Sequence, residues 1–395
     1  MRVLVTGQVG LDKGEYLSLL VDLASERGLQ LSFATVGERM RELHPNQPAE
    51  RTILNLDPAE LQILRRQAWE QILSEADATD ADIFVVNSHA LFRWRHGLFC
   101  AIDLDLALAY EPDMVVTLID DVHVVKQGLM ERGTDYFELW EILAWREEEV
   151  LLTKFLADCL QKLYSDAREI DFFLVPKKQG PEFLLRLLTE PQTKKAYLSF
   201  PITALGGKPD PKVEEFKRLI NEAYIAFDPI AMSERALLRL ADSYAPEIEE
   251  VLSEVRETIS RIPSEDEGSW SLLWDGCSAL CLSRLTLADL GLKHVSLTGR
   301  EVVGVRNSID AQIISRDFLL IDQSDIVVIY IRTNETGDPQ YSAGCQTELT
   351  HAYRRGKQGY VIFPGRRQRL SPWVSMLSSG VFKTAEDFIN AVPPQ

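Results

Sequence analysis

Two segments near the C-terminus, Ile326-Val-Val-Ile-Tyr-Ile331 and Tyr341-Ser-Ala-Gly-Cys-Gln-Thr-Glu348, decide the fold predicted for that part of this 395-residue chain. The first is rich in β-branched residues and too short for an ordinary helix, which predicts a buried strand of a parallel sheet. Turn-forming residues follow at 334–339, and residues 347–355 then have the pattern of an amphipathic helix. Because open α/β sheets bind ligands at the carboxyl ends of their strands, we expect a ligand site between the strand and the helix.

Glu348 is predicted to lie in the first turn of that helix, where the helix dipole favours an ionised carboxylate. An ionised carboxylate can act as a nucleophile. An acidic residue at this position is also a common way of stabilising the start of a helix. Position alone favours the second interpretation.

Further residues carry a resemblance that changes this balance. They are Asp317-Phe-Leu-Leu-Ile-Asp-Gln-Ser-Asp-Ile-Val-Val-Ile329, Ser342-Ala-Gly344, Glu348 and Ala196-Tyr-Leu-Ser-Phe-Pro201. Taken together, these residues resemble the nucleoside 2-deoxyribosyltransferase family. The resemblance implies that Glu348 attacks the anomeric carbon of a deoxyribosyl group and that Asp317 binds the substrate or assists.

The substrate-binding residues implied by the resemblance are Ser342, Gly344 and Pro201. Many transferases carry an acid where this chain has Ser342, and a serine there is similar to the related 2'-deoxynucleoside 5'-phosphate N-hydrolases, in which it lies near the phosphate. This difference favours hydrolysis over transfer to a second base. Ser199-Phe200 replaces the small residue and glycine usual in the first turn. Tyr197 could position Glu348 by a hydrogen bond or be an ordinary core residue of its strand.

The N-terminus has a second motif, in which an apolar strand precedes Gly7-Gln-Val-Gly-Leu-Asp-Lys-Gly14 and a helical pattern follows. A strand, a glycine-rich loop, a lysine and a helix form the arrangement that binds phosphate through backbone N–H groups. Asp12 occupies a usual glycine position, and no Ser or Thr follows Lys13 to hold Mg²⁺. The loop could therefore bind a nucleotide or only hold the domain together. The predicted nucleotide-binding residues are Gly7, Gly10, Lys13 and Gly14.

The order of segments over residues 1–188 resembles an archaeal-type adenylate kinase. Residues 35–42, 82–89 and 110–121 correspond to its monophosphate segment and two later strands. The resemblance implies ATP or another nucleotide as ligand, with or without Mg²⁺, and places Arg132 and Arg146 in the lid. Since the metal hydroxyl, a loop glycine and a strand acid are all changed, we expect weak kinase activity or none. A nucleotide sensor or a dimerisation scaffold fits these changes better.

A polar, proline-containing segment at 189–195 is the best domain boundary. The sequence thus predicts an α/β protein of two three-layer domains with parallel sheets. Residues 1–190 are predicted to form a P-loop, adenylate-kinase-like domain, and residues 191–395 a Rossmann-like, deoxyribosyltransferase-like domain.

The bulk composition narrows the classes of partner. A net charge of −18 argues against coating a nucleic acid polymer. No run of 18 apolar residues exists, so we expect no membrane partner and a cytoplasmic protein. Cys277 and Cys281 have no second pair and no nearby His, so they are interpreted as core thiols, and no metal site is predicted.

The predicted function is cleavage of the N-glycosidic bond of a small-molecule nucleoside or nucleotide, by hydrolysis or deoxyribosyl transfer. This chemistry needs no cofactor. Two alternatives stay open: a nucleotide-sensing regulatory protein without turnover, and an NAD-cleaving effector. The resemblance to the transferases also implies a homodimer.

Overall fold

The computed structural model describes residues 1–45, 53–94, 97–134, 136–164, 169–202, 210–261 and 297–395. It contains two five-stranded sheets, and all neighbouring strands within each sheet run parallel. Apolar clusters cover both faces of each sheet, where the helices pack. The predicted α/β class with two three-layer, parallel-sheet units is confirmed. Cys277 and Cys281 lie outside the described residues.

The first sheet and its connections occupy the N-terminal half. The strands are β1 (Arg2–Thr6), β2 (Leu31–Thr35), β3 (Ile83–Asn87), β4 (Leu91–Trp94), β5 (Gly97–Cys100), β6 (Met114–Ile119) and β7 (Asp171–Pro176). The sheet order is β2-β3-β1-β6-β7, and β4 and β5 form a separate antiparallel pair. The helices are Lys13–Glu26, Val36–Leu43, Pro58–Ala78, Leu104–Tyr110, Val122–Glu131, Leu139–Tyr164 and Pro181–Thr189, with short 3-10 turns at Ile53–Asn55 and Lys177–Gln179.

The second sheet occupies the C-terminal half. Its strands and a small antiparallel pair are β8 (Lys195–Ser199), β9 (Ile225–Phe227), β10 (Ile326–Tyr330), β11 (Arg332–Thr333), β12 (Pro339–Gln340), β13 (Gln358–Ile362) and β14 (Gly380–Phe382). The sheet order is β14-β13-β10-β8-β9. The helices are Pro211–Ala223, Arg235–Arg261, Gly299–Gly304, Arg306–Asp322, Ala343–Arg354, Pro372–Leu377 and Ala385–Ala391, with 3-10 turns at Pro229–Ala231 and Arg367–Arg369.

The two halves share an apolar core. Phe227 at the edge of the second sheet packs against Phe173 and Phe183 of the N-terminal half, with ring centroids 6.3 and 5.0 Å apart. Gln323 also bonds both the N–H and the carbonyl of Leu174 on the edge strand β7, at 2.8 and 2.9 Å. These contacts join the halves, and the predicted division at residue 190 stays a prediction.

The helix that carries Glu348 begins earlier than the sequence pattern predicts. It runs Ala343–Arg354 with Ser342 as its N-cap, so Glu348 lies in the second turn and the prediction of a first-turn position is wrong. The pattern began at 347 because residues 343–346 are small or polar, yet the thiol of Cys345 is buried and anchors that turn. Among the described residues, every helix is too short or too polar to cross a lipid bilayer.

Candidate functional site

The carboxylate of Glu348 is held on both oxygens. The Tyr197 hydroxyl donates a hydrogen bond of 2.9 Å to Oε1, and the Ser199 hydroxyl donates one of 2.5 Å to Oε2. Burial raises the pKa of Tyr197 well above its usual value, which keeps its hydroxyl protonated and able to donate. The hydrogen bond considered for Tyr197 is therefore present, and Tyr197 is also a fully buried core residue.

The alternation of β8 explains why Tyr197 and Ser199 meet the same partner. Side chains two residues apart lie on the same face of a strand. Tyr197 packs in the core shared by the two halves, whereas Ala196 and Leu198 pack in the cluster on the other face. Since Ser199 is the last residue of β8, its hydroxyl lies at the carboxyl edge of the sheet, next to the helix after β10.

Burial raises the pKa of Glu348 to about 7, and the nearby charge of Asp317 adds to the rise. The hydrogen bonds from Ser199 and Tyr197 and the positive charge of Arg316 act in the opposite direction. The carboxyl group is therefore about half ionised at neutral pH. The sequence predicts that the helix dipole favours the ionised form in the first turn. Glu348 lies instead in the second turn, where burial favours the neutral form.

Asp317 lies beside this site, in a buried ion pair with its neighbour Arg316. Nε and Nη2 of Arg316 both donate to Asp317 Oδ1, at 3.0 and 2.6 Å. Arg316 also donates to the backbone carbonyls of Pro229, at 3.1 Å, and Met232. Burial raises the pKa of Asp317, while Arg316 and Tyr197 lower it. The structure thus brings Glu348, Tyr197 and Asp317 together.

Of the three predicted substrate-binding residues, Ser342 and Gly344 lie at the start of the Glu348 helix, and Pro201 follows β8. Ser342 is the N-cap and its side chain makes no capping hydrogen bond. Gly344 lies one helical turn before Glu348 and therefore on the same face. A Cβ atom at Gly344 would contact only Ser342 Oγ, at 3.5 Å. Packing therefore does not require a glycine at this position, and the missing side chain leaves open space. Pro201 is buried just after β8, and the adjoining residues 203–209 lie outside the described residues.

Sequence reasoning missed two residues of this site. Ser199 was noted only as a departure in the first turn, although its spacing of two from Tyr197 already placed both on one face of the strand. Arg316 precedes Asp317 and was not considered. No local pattern indicates that its guanidinium folds back onto Asp317 and onto two carbonyls from a different segment.

A second candidate site lies at the loop after β1. The Lys13 ammonium donates to the carbonyl of Gly7 at 2.6 Å and lies 3.1 Å from His89 Nδ1. Burial lowers the pKa of Lys13 to about 7, with Glu149 opposing and Arg132 assisting the decrease. Burial and the charge of Lys13 lower the pKa of His89 well below its usual value, so the imidazole is neutral.

The predicted glycines of this loop serve different purposes. Gly7 and Gly10 have φ values of +143° and +94°, and a Cβ atom would lie 2.6 Å from Leu118 O at Gly7 and 2.7 Å from Val125 O at Gly10. Gly14, at the start of the helix, would contact nothing within 4 Å. Asp12 has a φ of +50°, a backbone conformation that glycine adopts without strain. Its carboxylate pairs with Arg132 at 2.6 Å.

The buried carboxylate of Glu149 closes the loop from behind and was not predicted. It accepts hydrogen bonds from the backbone N–H groups of Gly7, Ala90 and Leu91, at 2.9, 2.8 and 3.1 Å. Burial raises its pKa, and Lys13 and these N–H groups oppose the rise. A glutamate within the long helix Leu139–Tyr164 has no sequence signal that distinguishes it from a surface residue.

A cleft of about 830 Å³ opens in front of this loop and is lined by Lys13, Arg65, Asn87 and Arg132 among others. Among the described residues, the buried atoms Asn87 Oδ1 and Arg65 Nη2 have no hydrogen-bond partner. Of the two arginines compared with lid residues, Arg132 lines this cleft. Arg146 does not, because its side chain is buried and paired with Glu234 of the C-terminal half.

The residues of this loop do not fit Mg²⁺. The position after Lys13 is Gly14, which has no hydroxyl, and Asn87 at the end of β3 has an amide rather than a carboxylate. No group of three or more His, Cys, Asp or Glu side chains in the described ranges is arranged to hold a metal ion.

No protein-family model matches this chain, and no curated protein is similar to it in sequence. The crystal structure of an uncharacterized protein from Eubacterium ventriosum is similar over 48% of this chain and 97% of its own length. The sequence identity is 10% and the TM-score is 0.25. A similarity this low carries no argument about function.

Proposed function

We propose that the C-terminal half cleaves the N-glycosidic bond of a nucleoside or nucleotide, with Glu348 as the nucleophile. The observation that carries the proposal is the fixation of both Glu348 oxygens by the Tyr197 and Ser199 hydroxyls beside a second carboxyl group, Asp317. A nucleophile held in one orientation loses little entropy on reaching the transition state. Paired carboxyl groups in different environments are also the usual equipment for cleaving glycosidic bonds.

The proposed reaction has two steps. In the first, a carboxylate oxygen of Glu348 forms a bond to the anomeric carbon while the bond from that carbon to the base nitrogen breaks. The base leaves with the electron pair and takes up a proton from water. In the second, water attacks the same carbon, the bond to Glu348 breaks and its carboxylate is restored, and the sugar leaves with a hydroxyl group. The remaining proton of that water is released to solvent and replaces the one that the base took up. Asp317, with one oxygen bound to Arg316, orients a sugar hydroxyl.

The start of the Glu348 helix is the proposed position of a 5'-phosphate. Ser342 has a hydroxyl that makes no capping hydrogen bond, and the first N–H groups of the helix favour an anion. This arrangement supports a nucleotide as substrate and hydrolysis as the outcome.

The N-terminal half is proposed to bind a nucleotide without transferring its phosphate. The buried ammonium of Lys13 at a helix start and the unpartnered Asn87 and Arg65 atoms in the cleft support binding. The missing metal hydroxyl and the negative charge of Asp12 oppose transfer. We also propose that the protein is a homodimer and lies in the cytoplasm.

The experiment is base release measured by chromatography from a panel of nucleosides, nucleoside 5'-monophosphates and NAD⁺. Glu348→Gln keeps the size of the side chain and one acceptor oxygen, and its NH2 group can only donate to the second hydroxyl. Since the amide cannot attack, we expect a loss of about 10³-fold or more. The matched control is Glu386→Gln, an exposed acid in the last helix, which we expect to be as active as the parent.

The panel also separates the alternatives. Nicotinamide release from NAD⁺ alone would favour the effector. Tight nucleotide binding without any product would favour the sensor. Unchanged base release by Glu348→Gln would refute Glu348 as the nucleophile.

A further inference from the structure

A buried ion pair joins the two halves of the molecule. Arg146, in the helix Leu139–Tyr164, donates to Glu234 at 2.7 Å, and the two side chains are 5% and 0% exposed. Arg146 also donates to Gln312 Oε1 through Nε at 3.0 Å and Nη2 at 2.6 Å. A guanidinium from the N-terminal half is thus surrounded by acceptors from the C-terminal half.

These acceptors lead directly to the Glu348 site. Gln312 lies one helical turn before Arg316 in the helix Arg306–Asp322. Arg146 Nη1 lies 3.6 Å from the sulfur of Met232, and Arg316 donates to the backbone carbonyl of the same Met232. Arg146 therefore holds both the helix that carries Arg316 and the segment to which Arg316 is anchored.

We propose that Arg146 is a positioning residue for the Glu348 site, supplied by the N-terminal half and acting through Gln312 and Met232 on the Arg316–Asp317 pair. The expected effect on catalysis rests on the proposed function. The structural claim, that the position of the Arg316 charge depends on Arg146, does not.

The energetic cost of burying the Arg146–Glu234 pair indicates that the pair does more than attach the two halves to each other. Burying a charged pair is often no more stabilising than an apolar contact of the same volume. Glu234 is fully buried and has a φ of +49°, a conformation that is strained for a glutamate. The chain accepts this strain at the residue that pairs with Arg146. Apolar contacts such as Phe183 against Phe227 already join the halves.

The groups that face Glu348 determine the expected effect. They are Tyr197 and Ser199 from β8, Arg316 and Asp317 from the helix Arg306–Asp322, and Cys345 from its own helix. Arg316 is the cation among them. If Arg316 loses its anchor, less positive charge remains near Glu348, and ionisation of Glu348 then requires a higher pH.

The test compares two double variants of the full-length protein. Arg146→Met/Glu234→Gln removes the buried pair on the proposed route. Lys126→Met/Glu301→Gln removes a second buried cross-half pair, 2.5 Å long with side chains 8% and 9% exposed, that does not contact Gln312, Met232 or Arg316 in the described hydrogen bonds. Both variants weaken the attachment of the halves, and only the first should alter the site.

We expect Arg146→Met/Glu234→Gln to raise the acid midpoint of the pH–rate profile by about half a pH unit or more and to lower kcat about tenfold, with a smaller change in KM. The Lys126→Met/Glu301→Gln control should keep the midpoint of the parent. Equal midpoints for the two variants would overturn the proposal. Gln312→Met replaces the first variant if that variant does not fold. It keeps the Arg146–Glu234 pair and removes the hydrogen bonds of Gln312 to Arg146 and to the carbonyl of Leu143.

A readout without turnover separates this inference from the proposed function. The titration of Glu348 appears as the pH-dependent difference in unfolding temperature between each background and the same background with Glu348→Gln. A shift of that difference to higher pH in the Arg146 variant supports positioning even when no substrate is cleaved. Cleavage with an unshifted titration supports the proposed function and refutes the positioning role.

Discussion

Lys13 and Glu348 each lie in a helix that comes after the central strand of a five-stranded sheet, Lys13 in the first turn and Glu348 in the second. Burial acts on their pKa values in opposite directions. The lysine has its pKa lowered to about 7 and the glutamate has its pKa raised to about 7. Desolvation disfavours the charged form of either group. Near neutral pH, each side chain therefore loses its charge more readily than an exposed group of the same type.

The difference lies in the partners. Lys13 meets a backbone carbonyl and a neutral imidazole, whereas Glu348 meets two hydroxyls that stay protonated. A proton added at low pH therefore charges the first site for anion binding and neutralises the nucleophile of the second. We propose anion binding at one sheet and nucleophilic attack at the other, since the side chains rather than the fold decide the chemistry.

The largest effect we expect is on the hydroxyls that hold Glu348. Ser199→Ala and Tyr197→Phe each remove one donor, so base release should fall about 10–100-fold and its acid midpoint should move above the parent value near pH 7. The matched control is Tyr224→Phe, a fully buried tyrosine on the opposite face of the sheet, whose hydroxyl donates to Val392 O. Equal losses in all three variants would indicate a purely structural role.

The pH response should then distinguish the two sites. Base release should rise with pH and level off above about 7, as Glu348 ionises. Binding of ATP by calorimetry should weaken above about pH 7, approaching tenfold per pH unit, as Lys13 loses its proton. Lys13→Met should bind weakly with little pH dependence. An ATP affinity that rises with pH would contradict the assignment of anion binding to protonated Lys13.

Stability should show the same opposition. The folded protein keeps a proton on Glu348 that the unfolded chain loses near pH 4.5, so this group's contribution to stability falls as pH rises toward 7. Glu348→Gln should therefore gain about 1–3 kcal/mol relative to the parent across that window. Lys13 binds fewer protons when folded, so its contribution to stability rises between about pH 7 and 10.5, and Lys13→Met should be the more stable variant near pH 7. Thermal unfolding as a function of pH tests both signs.

The smallest effect concerns Asp12. Asp12→Gly relieves a left-handed backbone conformation at the cost of a half-exposed ion pair with Arg132. The strain exceeds the value of such a pair, so we expect a gain of up to about 1 kcal/mol. Removing the negative charge should also tighten ATP binding several-fold. Asp12→Asn, which removes the charge and keeps the strain, separates the two contributions.

The strands around both sites could be predicted from sequence because buried parallel strands are continuous apolar runs. Ile326–Tyr330 and Arg2–Thr6 are such runs. The start of the Glu348 helix could not be predicted from sequence, since Ala343 to Gln346 lack the apolar period of a helix. Cys345 is buried only through its tertiary contacts. Ser199 was within reach through the period of two along β8, whereas Arg146 and Glu149 resemble the exposed residues of any long helix.

The sequence by itself determined the α/β class, the two parallel sheets and the position of Glu348 after a buried strand, because apolar periodicity and turn residues are local signals. Only the tertiary structure decided what surrounds each charge. It placed Ser199 and Tyr197 on one carboxylate, Glu149 behind the Lys13 loop, and Arg146 against the helix of Arg316. Desolvation and hydrogen bonding depend on neighbours that are distant in the chain. These neighbours bring the pKa values of Lys13 and Glu348 to about 7.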